Sequence, residues 1–371
     1  MAVQEKNGEK GERIVPGKFD RKKGRMKLKK TGLLLVILAL VMTMVIVGGV
    51  YAEKPLKIAF FVSDLSNGFH QAQAFWAQKY AKEKYGAEVQ VFDGKSDNAT
   101  MIANIDQAIA QGMDMMTLHV WQADAAKPGI EAAIKKGITV AGFFDMQAVD
   151  IPIVKHDEAG ISFQMGKIAA EQWKKANPKK PIVFVELGWP DNEAVAQGRT
   201  IPFAKGVKSV DPNAKDLGCM DASKGADAAK KIIQDLVQAN PGINIIYSEA
   251  ANLTDGTMPG LRAVGRGKMK NGKPLTEIVC SVDCPENELY ACYDPGSSLK
   301  MSMALPPRET GMFRIDNLMD IRNGKIKQVD AANKKPYYMP CSLVGYWSMK
   351  AAEAEKWFNE EFQAKAKMPK Y

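Results

Sequence analysis

From Lys57 onward, short apolar runs alternate with longer stretches whose small and apolar residues recur at helical spacing. "KIAFFV" is the first run, and "AQAFWAQKYAKEKYG" follows it, with Ala74, Ala77 and Ala81 on one helical face and Gly86 as the stop. "AEVQVFD", the helical "ATMIANIDQAIAQG", "MDMMTLHV", "DAAKPGIEAAIKKG" and "ITVAGFFD" continue the series. Strands alternating with helices predict βαβ units, a parallel sheet and right-handed crossovers that put helices on both faces. The rhythm pauses at "MQAVDIPIVKHDEAG" and resumes with "PIVFVEL", "NEAVAQGRTIPFAKGVKSV", "GADAAKKIIQDLVQAN", "INIIYSEA" and "LTEIVCSVD". Two α/β modules of similar length are therefore expected, each a doubly wound parallel sheet, with the break near residues 150 to 160.

In open parallel sheets, ligands bind beyond the carboxyl ends of the strands. Here those ends are residues 63 to 70, 119 to 122, 143 to 146, 188 to 193 and 248 to 255, and Asp283. They mix polar groups with the aromatics Phe69, Trp121, Phe143, Phe144 and Trp189. Two such rims facing each other suit a small polyhydroxylated ligand, which has apolar faces and hydroxyl edges. Phe143 and Phe144 are adjacent, so strand alternation lets at most one of them line a cleft, and Phe144 is the candidate. Phe61, Phe75 and Trp76 read as core or helix surface, and His119 and His156 as structural. Asn67-Gly68 reads either as a turn or, from its place at a strand end, as a ligand contact.

The chain's formal charge of +9 would suit a nucleic-acid or membrane partner, but its distribution removes that reading. Residues 1 to 31 carry +7, and the other 340 residues only +2, with no basic run interleaved with aromatics. Lys27, Lys29 and Lys30, the apolar stretch Leu33 to Val47, and Val50-Tyr51-Ala52 read as a secretory signal cut after Ala52. An uncleaved membrane anchor is the alternative. Five cysteines follow: Cys219, Cys280, Cys284, Cys292 and Cys341. In an oxidising compartment one pair among the middle three is expected, and the odd count leaves at least one thiol unpaired. No metal site is expected, because C-x3-C lacks a second ligand pair and the three histidines are scattered along the sequence. G-x-S-x-G, H-E-x-x-H, the P-loop motif and G-x-G-x-x-G are all missing, so no dinucleotide or other cofactor is expected. Cys284 beside Asp283 is a weak nucleophile candidate without a marked base.

"KIAFFVSDLSNGFHQAQAFWAQKYAKEKYGAEVQVFD", "NATMIANIDQAIAQGMDMMTLHV" and "AAKPGIEAAIKKGITVAGFFD", followed by "GRTIPFAKGV", "GLRAV" and "EIVCSVD", resemble periplasmic sugar-binding proteins of the ribose-binding type, the solute receptors of ABC importers. The resemblance covers residues 56 to about 345. It implies two doubly wound domains joined by three hinge strands, closing on a sugar. The crossings would fall near residues 156–160, 303–307 and 337–341, giving lobes 53–158 plus 306–338 and 159–305 plus 339–371. By the same pattern Ser63, Asn67, Phe69, His70, Asp145 and Asp283 match ligand-contacting positions. Glu249 or Asn252 matches an asparagine. Two departures stand out. Met146 occupies a place where family members often carry arginine, and Gln197 aligns with the arginine of the second domain, with Arg199 two residues later. Trp121, Phe144 and Trp189 complete the candidate set from the aromatic rim. The resemblance implies a non-enzymatic, monomeric receptor for a sugar or polyol, with a membrane permease as partner and a chemoreceptor as a further candidate. The sugar-responsive repressors share this fold, but the apolar segment stands where their DNA-binding helices would be. The alternatives are an exported sugar-modifying enzyme and a membrane-anchored chemosensory binding protein.

Overall fold

The computed structural model describes residues 54–120, 122–144 and 149–370. The signal-like segment, Trp121 and Asp145 lie outside the described residues. The first sheet is built from β1 (Lys57–Val62), β2 (Glu88–Asp93), β3 (Met115–Leu118), β4 (Thr139–Phe143) and β5 (Ile153–His156). The second takes β6 (Val183–Gly188), β7 (Lys215–Asp221) and β8 (Ile245–Ser248). A small antiparallel ribbon, β9 (Met269–Lys270) with β10 (Lys273–Pro274), precedes β11 (Ile278–Val282) and β12 (Leu299–Ala304), which return to the second sheet. The last two strands, β13 (Tyr337–Met339) and β14 (Ser342–Gly345), close one sheet each.

The two sheets have the same plan. Their orders are β13-β5-β4-β3-β1-β2 and β14-β12-β11-β8-β6-β7. All neighbours run parallel except β14, which is antiparallel to β12. Central strands are buried, as sheets covered on both faces require: β1 buries every residue from Ile58 to Val62. The expected doubly wound α/β architecture is what the chain forms.

The chain passes between the sheets three times. It leaves the first after His156 and starts the helix Glu158–Ala176, which packs on Ile201–Val210 beside the second sheet. It leaves the second after Ala304 and starts Pro307–Arg322, which packs on Gly68–Tyr85 beside the first. It crosses again between Met339 and Ser342. Each such helix thus covers the first long helix of the lobe it enters, and each contact is made at backbone distance. A β-carbon on Gly311 would lie 2.3 Å from the Gln73 carbonyl oxygen, and one on Gly206 would lie 2.1 Å from that of Phe163.

All five cysteines are free thiols, contrary to the expected pair. Cys280 packs into a different core from Cys284 and Cys292, because it points from the other face of β11. Cys284 and Cys292 share one apolar cluster and fill it as small hydrophobes.

The backbone-distance contact yields a stability test. Gly311→Val should lower unfolding free energy by about 1–3 kcal/mol or more, the usual penalty of overpacking. Urea denaturation checks this, and an unchanged midpoint would show that the helix pair can part without loss.

Candidate functional site

The turn after β1 explains how "SNGFH" serves both fold and site. Asn67 is the N-cap of Gly68–Tyr85, and its Oδ1 accepts from the Phe69 amide at 2.8 Å. Capping fixes the side chain, so Nδ2 is left pointing outward, and it donates to Asp283 Oδ2 of the other lobe at 3.4 Å. The same device recurs after β6. Asn192 caps the next helix by accepting from the Val195 amide at 3.1 Å, and it too lines the cleft. Asn192 was not among the expected residues. Its signal was an asparagine just before a helix at the equivalent strand end.

The histidines at 70, 119 and 156, scattered in sequence, are gathered by the fold. His70 packs edge-on to Phe69 and His119, His119 to Phe143, and His156 to both Phe69 and Phe143. All three are buried and line the cleft floor. Burial, aided by the nearby Arg314 charge, lowers the pKa of His70 to about 3. Burial lowers His156 to about 4 and His119 well below the ordinary value. The ring cluster is therefore neutral at neutral pH. His70 is also the middle of a chain of hydrogen bonds. Ser63 Oγ lies 2.8 Å from its Nε2, Gln73 Nε2 lies 2.6 Å from its Nδ1, and Arg314 Nη1 donates to Gln73 Oε1 at 2.9 Å.

Opposite lies a charged rim. Glu193 to Val210 run as one helix whose middle, Ala196–Thr200, widens into a π turn. Such turns re-aim side chains and recur at functional sites. Here the turn buries Arg199 and leaves Gln197 exposed. Gln197 therefore does not reach the cleft, and Arg199 does. The Arg199 guanidinium is gripped by Glu158 through two bonds, Nε to Oε2 at 2.9 Å and Nη2 to Oε1 at 2.8 Å. Glu158, the first residue of its helix, was also missed, since its partner lies 41 residues away. Burial works against its ionisation, but Arg199 holds its carboxyl below the usual range. Glu249 is another correction. It lies beneath the cleft, accepting from the Trp189 amide at 3.4 Å and from the Thr200 hydroxyl, and burial raises it to about 7. Asn252 lines the cleft instead.

The cleft measures about 1050 Å³. Ser63, Asn67, Phe69, His70, Phe144, Trp189, Arg199, Asn252 and Asp283 all line it. So does Phe143, although strand alternation allowed only one of that pair. The reason is local: β4 ends at Phe143, and Phe144 turns to φ 73°, which breaks the alternation. Asp283, the residue after the equivalent strand β11, has φ 84°. Left-handed backbone at a non-glycine residue is strained, and such strain concentrates at functional sites. Asp283 also accepts from the Ala251 amide at 3.3 Å, and burial raises its pKa. Cys284, the possible nucleophile, is fully buried, and burial pushes its thiol well up, which leaves no reactive thiolate.

Residues 58–326 match a family model described as "Periplasmic binding protein domain". The chain belongs to this family. Among curated relatives, the ribose import binding protein RbsB of Escherichia coli K12 is 26% identical over 242 residues, covering 65% of this chain and 78% of the relative. The galactofuranose-binding protein YtfQ of the same organism is 23% identical over 69% of the chain and 79% of its own length. Solved structures share the fold. A galactofuranose-binding protein aligns over 83% of this chain and 99% of its own, with TM-score 0.63 and 19% identity. A Caulobacter myo-inositol binding protein aligns over 82% of this chain and 97% of its own, with TM-score 0.63 and 16% identity.

The neutral histidines of this periplasmic binding protein make its stability pH-dependent. Unfolded histidines protonate near 6.5, whereas folded His156 and His70 resist to about 4 and about 3. The unfolded chain therefore binds more protons in that window, and stability falls as pH drops from 6.5 through 4. Buried Glu288 has the opposite sign. Raised to about 8, it stays protonated when folded, so its contribution falls as pH rises from about 4.5 to 8. Urea unfolding across pH should show a shallower acid loss for His156→Gln than for the parent. A Glu288→Gln variant should gain relative stability between pH 5 and 8. Parallel curves for parent and variants would contradict these assignments.

Proposed function

We propose that the chain is an extracytoplasmic solute-binding protein that holds a neutral sugar or polyol in the cleft and delivers it to the permease of an ABC importer. The observation that carries the reading is the Asn67 amide and the Asp283 carboxylate, from opposite lobes, meeting at 3.4 Å among the rings of Phe69, Phe144 and Trp189. An ionised carboxylate accepts from two sugar hydroxyls at once, and such charge-assisted bonds are the stronger kind. Asp145, two residues past the end of β4 in the sequence, is proposed for the same role from the first lobe. Relatives whose names give ribose and galactofuranose as ligands support the sugar class.

Charge narrows the class further. Among the described residues, eight carboxylates line the cleft against the single guanidinium of Arg199, which Glu158 already occupies. Such a cleft repels anions. Sugar phosphates and uronic acids are excluded on this reading, and neutral monosaccharides and polyols are accepted. Calorimetric titration against a panel of both kinds, with product analysis to detect turnover, tests this. Tight binding of a sugar phosphate, or conversion of any ligand, would overturn it. A ligand bridging both lobes favours the closed arrangement by its differential affinity. Asp283→Ala should therefore weaken binding by about 1.5–3 kcal/mol, the worth of hydrogen bonds to a charged group. It should also abolish ligand-induced compaction in small-angle scattering. Retention of both properties would remove Asp283 from the bridge.

Export is proposed from the Lys27–Ala52 pattern and from the compartment named by the family. The secreted protein should begin at Glu53. Mass spectrometry that finds residues 33–47 intact would favour a membrane anchor.

A further inference from the structure

We propose that Arg314 and Gln73 fix the tautomer of His70 and thereby make the Ser63 hydroxyl a hydrogen-bond donor to the ligand. A guanidinium carries only donors, so it dictates the polarity of everything connected to it. Arg314 is fully buried, and its bonds run to Thr117 Oγ1, the Thr117 and Phe61 carbonyls, and Gln73 Oε1. Gln73 must therefore turn its carbonyl oxygen to Arg314, which places its NH2 group 2.6 Å from His70 Nδ1. That nitrogen can only accept. The single proton of the neutral ring then sits on Nε2 and is donated to Ser63 Oγ at 2.8 Å. With the serine oxygen accepting, its own proton is free for the cleft, since no other bond to this hydroxyl is made among the described residues. Gln73 and Arg314 do not line the cleft, so they are positioning residues. Ser63 meets the ligand, and it selects an acceptor there, either a ring oxygen or a hydroxyl lone pair.

The ligand half of this proposal rests on the sugar-binding reading, but the tautomer half does not. The chain has three histidines, so 15N spectra of the ligand-free protein at neutral pH can be assigned by replacing His119 or His156 singly. His70 should show a protonated Nε2 and a bare Nδ1. Gln73→Glu keeps the side-chain shape but offers only acceptors, so Nδ1 should gain a proton. A parent spectrum with Nδ1 protonated, or a Gln73→Glu spectrum identical to the parent, overturns the relay. Gln73→Met, which cuts the relay at similar volume, should give a mixture of tautomers, and a pure Nε2–H form there would likewise overturn it. For whichever sugar the titration panel identifies, Ser63→Ala should weaken binding about fivefold to tenfold, the worth of one neutral hydrogen bond. Unchanged affinity would remove Ser63 from the ligand while leaving the relay standing. A panel with no binder would sink the sugar reading, again without touching the tautomer result.

Discussion

Arg314 is the buried charge around which the first lobe is arranged. No carboxylate contacts it among the described residues, so the surroundings must supply acceptors and ring faces instead. They do so from four elements. β1 gives the Phe61 carbonyl, β3 gives both oxygens of Thr117, and the first helix gives Gln73. Phe60 and Phe143 lie against the guanidinium with centroids 3.9 and 4.7 Å away. The cation–π geometry and four donated bonds offset much of the desolvation. The arrangement depends on Gly311, which lets the returning helix come close enough for Arg314 to reach Gln73. A charge placed on a returning helix thus ties the second passage of the chain to strands laid down 197 residues or more earlier.

The two lobes share a plan but divide the work. Both begin with a strand, an asparagine cap at its end and a helix, and both carry a strained residue after the equivalent fourth strand. The first lobe then lines its floor with uncharged rings, and the second with the Glu158–Arg199 pair and Asp283. This asymmetry fits a small polyhydroxylated ligand, which needs a flat apolar partner on one side and fixed acceptors on the other. Arg199 spans the difference: its guanidinium lies 6.0 Å from the Phe144 ring of the opposite lobe.

The fold was legible because its signals are local. Apolar runs of strand length, helical spacing and glycine stops depend on near neighbours, and they repeat often enough to correct one another. Part of the site was legible for the same reason, since a residue at a strand end stays there whatever the rest of the chain does. Ser63, Asn67, Phe69, His70, Trp189, Asn252 and Asp283 reach the cleft by that rule. It failed where side-chain direction depends on more than position. The π turn reverses the roles of Gln197 and Arg199, and the left-handed turn of Phe144 brings both adjacent rings to one side. Glu249 drops beneath Trp189 to meet its amide. Residues whose role is defined by a distant partner gave no signal at all. Gln73 and Arg314 are 241 residues apart, and neither stands at a strand end.

The hinge and the site are connected by the same histidines. His156 ends β5 at the first crossing, and its Nε2 lies 2.9 Å from Thr310 Oγ1, just past the second crossing. The Thr310 hydroxyl donates to the Pro306 carbonyl at 2.6 Å, so its oxygen is the acceptor for His156, whose Nε2 carries the proton. Two of the three crossings are thereby joined by a neutral ring that also packs on Phe69, a cleft residue. A shift of Phe69 must be accommodated at His156, because close-packed interiors do not deform continuously. The first rim of the cleft and two of the crossings therefore meet in one buried, uncharged contact. Burial keeps the ring uncharged against the opposing pull of the Glu158 carboxylate, and the Arg199 and Arg314 charges act with burial, so the contact stays neutral.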